Sequence, residues 1–138
     1  MPDGVTAASP SQGTAFSIAQ AVQWCTFSAR TVAADLQAII DEREALVGAF
    51  AYLDPAQLAT QAAAVDAAPK GPFAGVPVAI KDVIQTLGMP TAHNTARYRG
   101  VYSGGDAACV DRLRQAGAVI VGKTETTEFA ATQAGPRT

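Results

Sequence analysis

Residues 117–124 have the sequence GAVIVGKT, which fits the spacing G-x-x-x-x-G-K-[ST] of a nucleotide-binding phosphate loop. In such a loop, a strand precedes the first glycine, and the backbone N–H groups between the two glycines surround a phosphate. Here a helix is predicted before Gly117, and residues 118–121 are strand formers. We therefore predict that Gly117 ends a helix and Gly122 ends a strand, which disfavours a phosphate-binding function.

Lys81 is the second candidate for chemistry, because it ends the apolar run 76–80. A lysine that is shielded from water favours its neutral form and can then accept a proton near neutral pH. Asp82 is predicted to be a poor ion-pair partner for it, because adjacent residues in a strand point to opposite faces. From the residues alone, the alternative of a lysine that extends from the strand end into water stays open.

Other reactive residues are few and widely spaced. His93 is the only histidine, and with no further ligand at suitable spacing we predict no metal site around it. Cys25 and Cys109 form no C-x-x-C pair and are predicted to be buried free thiols. The formal net charge of −2 provides no basic surface, so nucleic acid is not an expected partner.

Helices are predicted for most of the first half of the chain. Residues 1–13 are rich in Pro, Gly and Ser and are predicted to be a flexible tail. A short helix should follow from Thr14, and a longer one should run from an N-cap at Ser28 to a C-terminal Gly48. The run FAYLD at 50–54 is predicted to be extended, and a third helix should begin at Pro55.

The second half of the chain has the pattern of a βαβ unit. Two buried strands are predicted at 77–81 and 118–121, separated by a long connection and a helix. Asp106 is predicted to cap that helix, and Gly117 to follow its last turn. Residues 122–124 are predicted to turn into a further helix with acidic residues in its first turn. A parallel strand pair is therefore expected.

Two blocks of the sequence resemble the amidase signature family. The first is GPFAGVPVAIKDVIQTLGMPT at 71–91, and the second is DAACVDRLRQAGAVIVGKTETTEFA at 106–130. Residues 28–67 are similar to that family in layout. The resemblance implies an α/β fold, namely the N-terminal part of the amidase signature fold, with helices followed by a βαβ unit of a mixed, largely buried sheet. Residues 14–138 would then form the N-terminal portion of a single, incomplete amidase domain.

The resemblance also implies the chemistry. The family uses a Ser–cis-Ser–Lys triad to break a carboxamide C–N bond, either by hydrolysis or by transfer of the nitrogen. Lys81 matches the triad lysine. The neutral lysine would take a proton through the bridging serine, and the activated serine would form an acyl-enzyme with a small-molecule amide. Backbone N–H groups would stabilise the oxyanion. Neither a metal nor an organic cofactor is implied, and substrate-binding residues and the particular amide stay unassigned.

The serines of the triad have no match in this sequence. In the family they follow the region that matches GPRT at 135–138. Ser103, in YSGGD, is predicted to serve a turn. The other serines belong to the tail or the first helices; they are Ser9, Ser11, Ser17 and Ser28. The chain is therefore expected to carry the base but neither serine, and to be inactive alone.

Partners and location follow from the same patterns. The chain has no secretory signal and no apolar run long enough for a bilayer, so a cytoplasmic protein without membrane contact is expected. Two strands with few helices should leave apolar surface open, which favours self-association into a homo-oligomer or hydrophobic dye binding. A non-catalytic interaction module that docks on a complementary chain is the alternative from another functional class.

Overall fold

A computed structural model describes residues 9–131. Short 3-10 helices occur at Pro10–Gln12, Ala96–Tyr98 and Glu128–Ala130. The main elements are, in chain order, α1 (Ala15–Gln23), α2 (Ala29–Val47), β1 (Phe50–Leu53), α3 (Pro55–Ala67), β2 (Pro77–Lys81), α4 (Ala108–Gln115) and β3 (Val119–Thr124). Within the described residues, no helix has the length and apolar composition that a membrane crossing requires.

Local signals set both ends of α2 and the start of α3, at the predicted residues Ser28, Gly48 and Pro55. The Ser28 hydroxyl accepts a hydrogen bond from the Thr31 N–H at the start of α2. Gly48 ends that helix in the left-handed region, at φ 60°, where glycine is tolerated without strain. The Asp54 carboxylate caps α3, and Pro55 occupies its first position, where no N–H is needed.

The three strands form a mixed sheet in the order β1-β3-β2. β2 runs parallel to β3, with Pro77 opposite Val119, which confirms the predicted parallel pair. β1 runs antiparallel to β3 on its other side. β3 is therefore central and almost entirely buried. The prediction that β2 is also a buried strand is wrong, because β2 lies at the sheet edge and exposes Ala79 and Lys81.

Two apolar clusters pack on the two faces of the sheet. Val119 and Val121 of β3 face the helices α1, α2 and α3, which supply most of the larger cluster. Ile120, between them, faces the other way and packs with Ile80 and Val110. This alternation along β3 is the period-two pattern of a strand that is covered on both faces.

Beyond the end of β1, the side chain of Gln61 on α3 forms hydrogen bonds with the backbone of β3. Its Nε2 donates to the Ile120 carbonyl at 2.9 Å, and its Oε1 accepts from the Ile120 N–H at 3.2 Å. Arg114 of α4 donates to the same Oε1 at 2.6 Å. A single amide thus satisfies both backbone groups of a buried strand residue and links α3 to α4.

Asp106 has a different role from the predicted one. The N-cap position of α4 is Ala107, and no side chain bonds there. Asp106 instead accepts a hydrogen bond from the Leu87 N–H at 2.6 Å and forms an ion pair of 2.9 Å with Arg114. The carboxylate therefore fastens the long connection after β2 to α4, a contact between distant residues that a local capping rule does not predict.

Part of the predicted N-terminal tail is in contact with α2. The Asp35 carboxylate accepts hydrogen bonds from the Ser9 hydroxyl and from the Ser11 N–H, the latter at 2.9 Å. Hydrogen bonds from Ser11 and Ser9 lower the pKa of Asp35. Residues 1–8 of the tail lie outside the described residues.

Gly71 and Gly117 let two backbone segments approach closely. A Cβ atom on Gly117 would lie 2.2 Å from the Lys70 carbonyl oxygen, and one on Gly71 would lie 2.3 Å from the Ala116 carbonyl oxygen. Gly117 also has φ 92°, where L-residues are strained. This contact holds the turn before β3 against the segment that leads into β2.

Gly117→Ala should therefore lower the free energy of unfolding by about 2 to 4 kcal/mol, since backbone strain and a displaced carbonyl add together. Urea unfolding followed by circular dichroism measures it. Gly48→Ala is the matched control, because Gly48 has a positive φ of 60° but nothing within 4 Å of the added Cβ. Equal losses in the two variants would show that the close approach is not tight in solution.

Candidate active site

Lys81 is the last residue of β2 and lies opposite Thr124, the last residue of β3. It therefore occupies the carboxyl end of the parallel pair, the edge at which α/β sheets bind ligands. Its side chain is exposed. The expectation that water is kept away from Lys81 is thus wrong for the described residues, because no described strand pairs with the outer edge of β2.

The buried lysine of this region is Lys123, which is 0% exposed. Its ammonium nitrogen donates to Thr91 Oγ1 at 2.7 Å and to the Pro90 carbonyl at 3.2 Å, and lies 3.6 Å from Asp82 Oδ1. Burial lowers the pKa of Lys123, and the nearby Asp82 carboxylate partly opposes this effect. Asp82 Oδ1 thus forms an ion pair with Lys123.

Asp82 joins both strand ends to the connection that follows β2. Its N–H donates to the Thr124 carbonyl at 3.0 Å, and its own carbonyl accepts from the His93 N–H at 3.0 Å. Its side-chain Oδ1 accepts from the Ala92 N–H at 3.1 Å. The backbone next to Lys81 is therefore held on several sides by buried hydrogen bonds.

The connection after Asp82 contains residues in an uncommon backbone conformation. His93 and Asn94 have φ values of 53° and 49°, and Phe129 has φ 52°. Asn94 is 0% exposed, and its Nδ2 donates to the Thr126 carbonyl at 2.6 Å. The Phe129 N–H donates to the His93 carbonyl at 3.0 Å. Positive φ in residues other than glycine is concentrated at functional sites, so this backbone supports a site here.

Three rings pack together on the same side of the site. The His93 ring stacks on Phe129 with centroids 5.3 Å apart, and Tyr98 meets His93 edge-on at 5.6 Å. Phe129 remains 54% exposed. His93 thus contributes to an aromatic cluster, and within the described residues no three His, Cys, Asp or Glu side chains come together as a metal site.

The phosphate-loop hypothesis fails on geometry, as predicted. α4 ends at Gln115, and the residues between Gly117 and Gly122 are mostly part of β3, paired with β2. Extended, paired residues have no free N–H groups with which to surround a phosphate. The predicted helix from residues 122–124 is wrong, because β3 continues to Thr124 and the next helical residues are Glu128–Ala130.

Ser103 and the two cysteines are the remaining candidate nucleophiles of the sequence. The Ser103 hydroxyl donates to the Gly105 carbonyl at 2.9 Å, which agrees with its predicted role in a turn. Cys25 and Cys109 are free thiols but exposed, so their predicted burial is wrong. Cys25 lies just beyond the end of α1, and Cys109 lies on the outer side of the first turn of α4. The predicted family match at residues 135–138 lies outside the described residues.

A model of the amidase family matches residues 31–137. A glutamyl-tRNA(Gln) amidotransferase subunit from Acidothermus cellulolyticus is 46% identical over 89 residues, which are 61% of this chain and 18% of that protein. The protein of the same name from Symbiobacterium thermophilum is 40% identical over 114 residues, 78% of this chain and 23% of that one. This chain therefore spans about a fifth of the length of these relatives.

Solved structures show the same fold. The native peptide amidase from Stenotrophomonas maltophilia superimposes with a TM-score of 0.75 at 28% sequence identity. The superposition covers 86% of this chain and 26% of the peptide amidase chain. The helices and the three-stranded mixed sheet described above thus correspond to about a quarter of a larger amidase structure.

Proposed function

The chain belongs to the amidase family, and from that premise we propose that it supplies the proton-accepting lysine, Lys81, to an active site that hydrolyses carboxamide C–N bonds. The observation that carries the proposal is the place of Lys81 at the carboxyl end of the parallel β2–β3 pair. Ligands of α/β sheets bind at this edge. The buried hydrogen bonds of Asp82 hold the adjacent backbone in a defined position.

In the proposed reaction, neutral Lys81 takes a proton from a bridging serine, which takes the proton of the nucleophilic serine. The serine oxygen then bonds to the amide carbon, and the C–N bond breaks as the nitrogen receives a proton and leaves. Water hydrolyses the resulting ester. Shielding from water favours a neutral lysine. Because residues 9–131 leave Lys81 exposed, we propose that the segment that carries the serines also covers it.

Carboxamides are the substrate class that fits the relatives. The curated relatives are named as subunits of a glutamyl-tRNA(Gln) amidotransferase, and the solved structure is named as a peptide amidase. A carboxamide C–N bond is the chemistry common to both names. An assay with water alone and then with an added amine acceptor distinguishes hydrolysis from transfer.

A second function is supported by the exposed apolar surface. Phe16 is 73% exposed, Trp24 is 70% exposed and Leu46 is 92% exposed. Large aromatic side chains at the surface are typical of protein interfaces. The chain would then be a docking module that binds a complementary chain without taking part in catalysis.

One experiment tests both functions. Ammonia release from a panel of aliphatic and aryl amides is measured for this chain alone. It is then measured for a combined protein, in which this chain replaces the matching quarter of the Stenotrophomonas maltophilia peptide amidase. We expect no turnover by the chain alone and amide hydrolysis by the combined protein, because only the latter contains base and serines together.

The control is the peptide amidase that lacks its matching quarter and has no replacement. Robust turnover by the chain alone would contradict the proposed division of the triad. A combined protein that is folded but hydrolyses no amide would favour the docking module instead.

A further inference from the structure

Lys123 has no part in the proton transfers described above, yet it is the largest fully buried side chain among the described residues. Burying an ammonium group is costly unless its hydrogen bonds are made and a counter-charge is near. Both conditions are met by Thr91, Pro90 and Asp82. We call these contacts of the Lys123 ammonium group the Lys123 tether.

We propose that Lys123 is a positioning residue for the candidate active site. Its buried ammonium group ties the residue next to Lys81 to the connection that follows β2, and so fixes the direction in which Lys81 leaves the sheet. This inference rests on the proposed function, because it matters for catalysis only if Lys81 accepts the proton.

The Lys123 tether links three segments of the chain, one of which is the strand that carries Lys123. Lys123 itself belongs to β3, the central strand. Asp82 directly follows β2, whereas Pro90 and Thr91 belong to the connection. One side chain therefore joins the central strand to both sides of the loop that begins at Lys81. Without the ammonium group, the connection would lose its side-chain attachment to β3 at this point.

The direction of the Lys81 side chain depends on the Lys123 tether, because Lys81 belongs to the edge strand β2. Its own side chain is exposed, and β2 pairs with a strand on only one side in the described residues. Both of its chain neighbours, Ile80 and Asp82, are buried, and Asp82 is the one that the tether contacts. A small displacement of a catalytic group reduces the rate strongly, since a misplacement of about 1 Å can cost on the order of 100-fold. Contacts that fix the position of Asp82 thus also fix the backbone from which the Lys81 side chain extends.

Two kinds of variant separate positioning from general stability. Thr91→Val removes the hydroxyl that accepts from Lys123 and keeps the shape, and Thr91→Ser restores a hydroxyl. The double variant Asp82→Asn with Lys123→Met removes both charges, so no isolated buried charge remains. The Asp82→Asn change keeps an oxygen that can accept from the Ala92 N–H.

In the 138-residue chain, hydrogen exchange of the Ala92 and His93 N–H groups reports on the tether, since both donate to Asp82. We expect exchange to accelerate by about tenfold or more in Thr91→Val and in the double variant, and to return toward wild type in Thr91→Ser. Unchanged exchange in both removal variants would overturn the tether.

In the combined protein, kcat should fall by roughly 10- to 100-fold in Thr91→Val and in the double variant, with KM changed by no more than about twofold. Thr91→Ser should recover most of kcat. A double variant that regains wild-type stability and also wild-type kcat would show that Lys123 is structural only. If the wild-type combined protein hydrolyses no amide, the proposed function fails, and hydrogen exchange alone decides on the tether.

Discussion

Lys123→Met should lower the free energy of unfolding by about 3 to 5 kcal/mol, because it removes the positive charge that lies beside the buried Asp82 carboxylate. The two side chains are 0% and 2% exposed, so solvent cannot replace the lost interaction. Methionine matches much of the volume of lysine but leaves Thr91 Oγ1 and the Pro90 carbonyl without their donor. Equilibrium urea unfolding of the chain measures the change.

The matched control is Lys81→Met in the adjacent strand. Lys81 is exposed, so the same change of residue type should alter stability by no more than about 0.5 kcal/mol. Asp82→Asn added to Lys123→Met should recover most of the loss, because both charges are then absent. If Lys123→Met and Lys81→Met unfold at the same urea concentration, Lys123 is not buried as described.

Lys81→Met should lower kcat/KM for amide hydrolysis in the combined protein by about 100- to 10,000-fold, the usual contribution of a general base. The side chain keeps a similar length but has no nitrogen to accept the serine proton. Steady-state ammonia release, with unfolding measured on the same preparation, tests this. In the 138-residue chain, where Lys81 is exposed, the same change should leave stability unaltered.

The chain has three lysines, so substituting methionine at each of them in turn compares every lysine of the protein. Lys70→Met changes another exposed lysine, away from the strand ends, and should leave activity within about twofold of wild type. Lys81→Arg keeps a positive charge that cannot serve as a base at neutral pH, so it should be as inactive as Lys81→Met. Full activity in Lys81→Arg would assign Lys81 a purely electrostatic role.

The sequence predicted the elements of this fold better than their exposure. Ser28, Gly48 and Pro55 are local signals, and each correctly marks a helix end. The strand at Pro77–Lys81 is confirmed with its predicted bounds. Such features depend on residues close in the chain, whose conformational preferences act whatever the rest of the fold does.

Which strand is central could not be inferred in this way. The apolar runs before Lys81 and before Lys123 are equally suited to burial. Only the sheet order β1-β3-β2 places the second run in the middle and the first at the edge. The prediction therefore assigned the buried lysine to Lys81, whereas it is Lys123. Strand order depends on pairing between distant segments, which a local pattern does not contain.

The missed extension of β3 has the same cause. The sequence predicts that Gly122 ends the strand and that residues 122–124 turn into a helix with acidic residues in its first turn. In the fold, Gly122 lies opposite Leu53 of β1, and an added Cβ would lie 2.4 Å from the Tyr52 carbonyl oxygen. The glycine is present because the β1 backbone comes close. If the strand is extended through Gly122, Lys123 becomes part of the buried strand. That extension is the signal by which the sequence could indicate that Lys123 is buried.

The position of β3 has a consequence for biosynthesis. Both β1 and β2 pair only with β3 in the described sheet, and β3 is the last of the three to be translated. While the ribosome is still adding residues before Thr124, the two earlier strands lack their partner strand, although helices such as α2 and α3 can already pack together. Nascent chains in this interval expose unpaired strand edges, so they are the species most in need of chaperone protection.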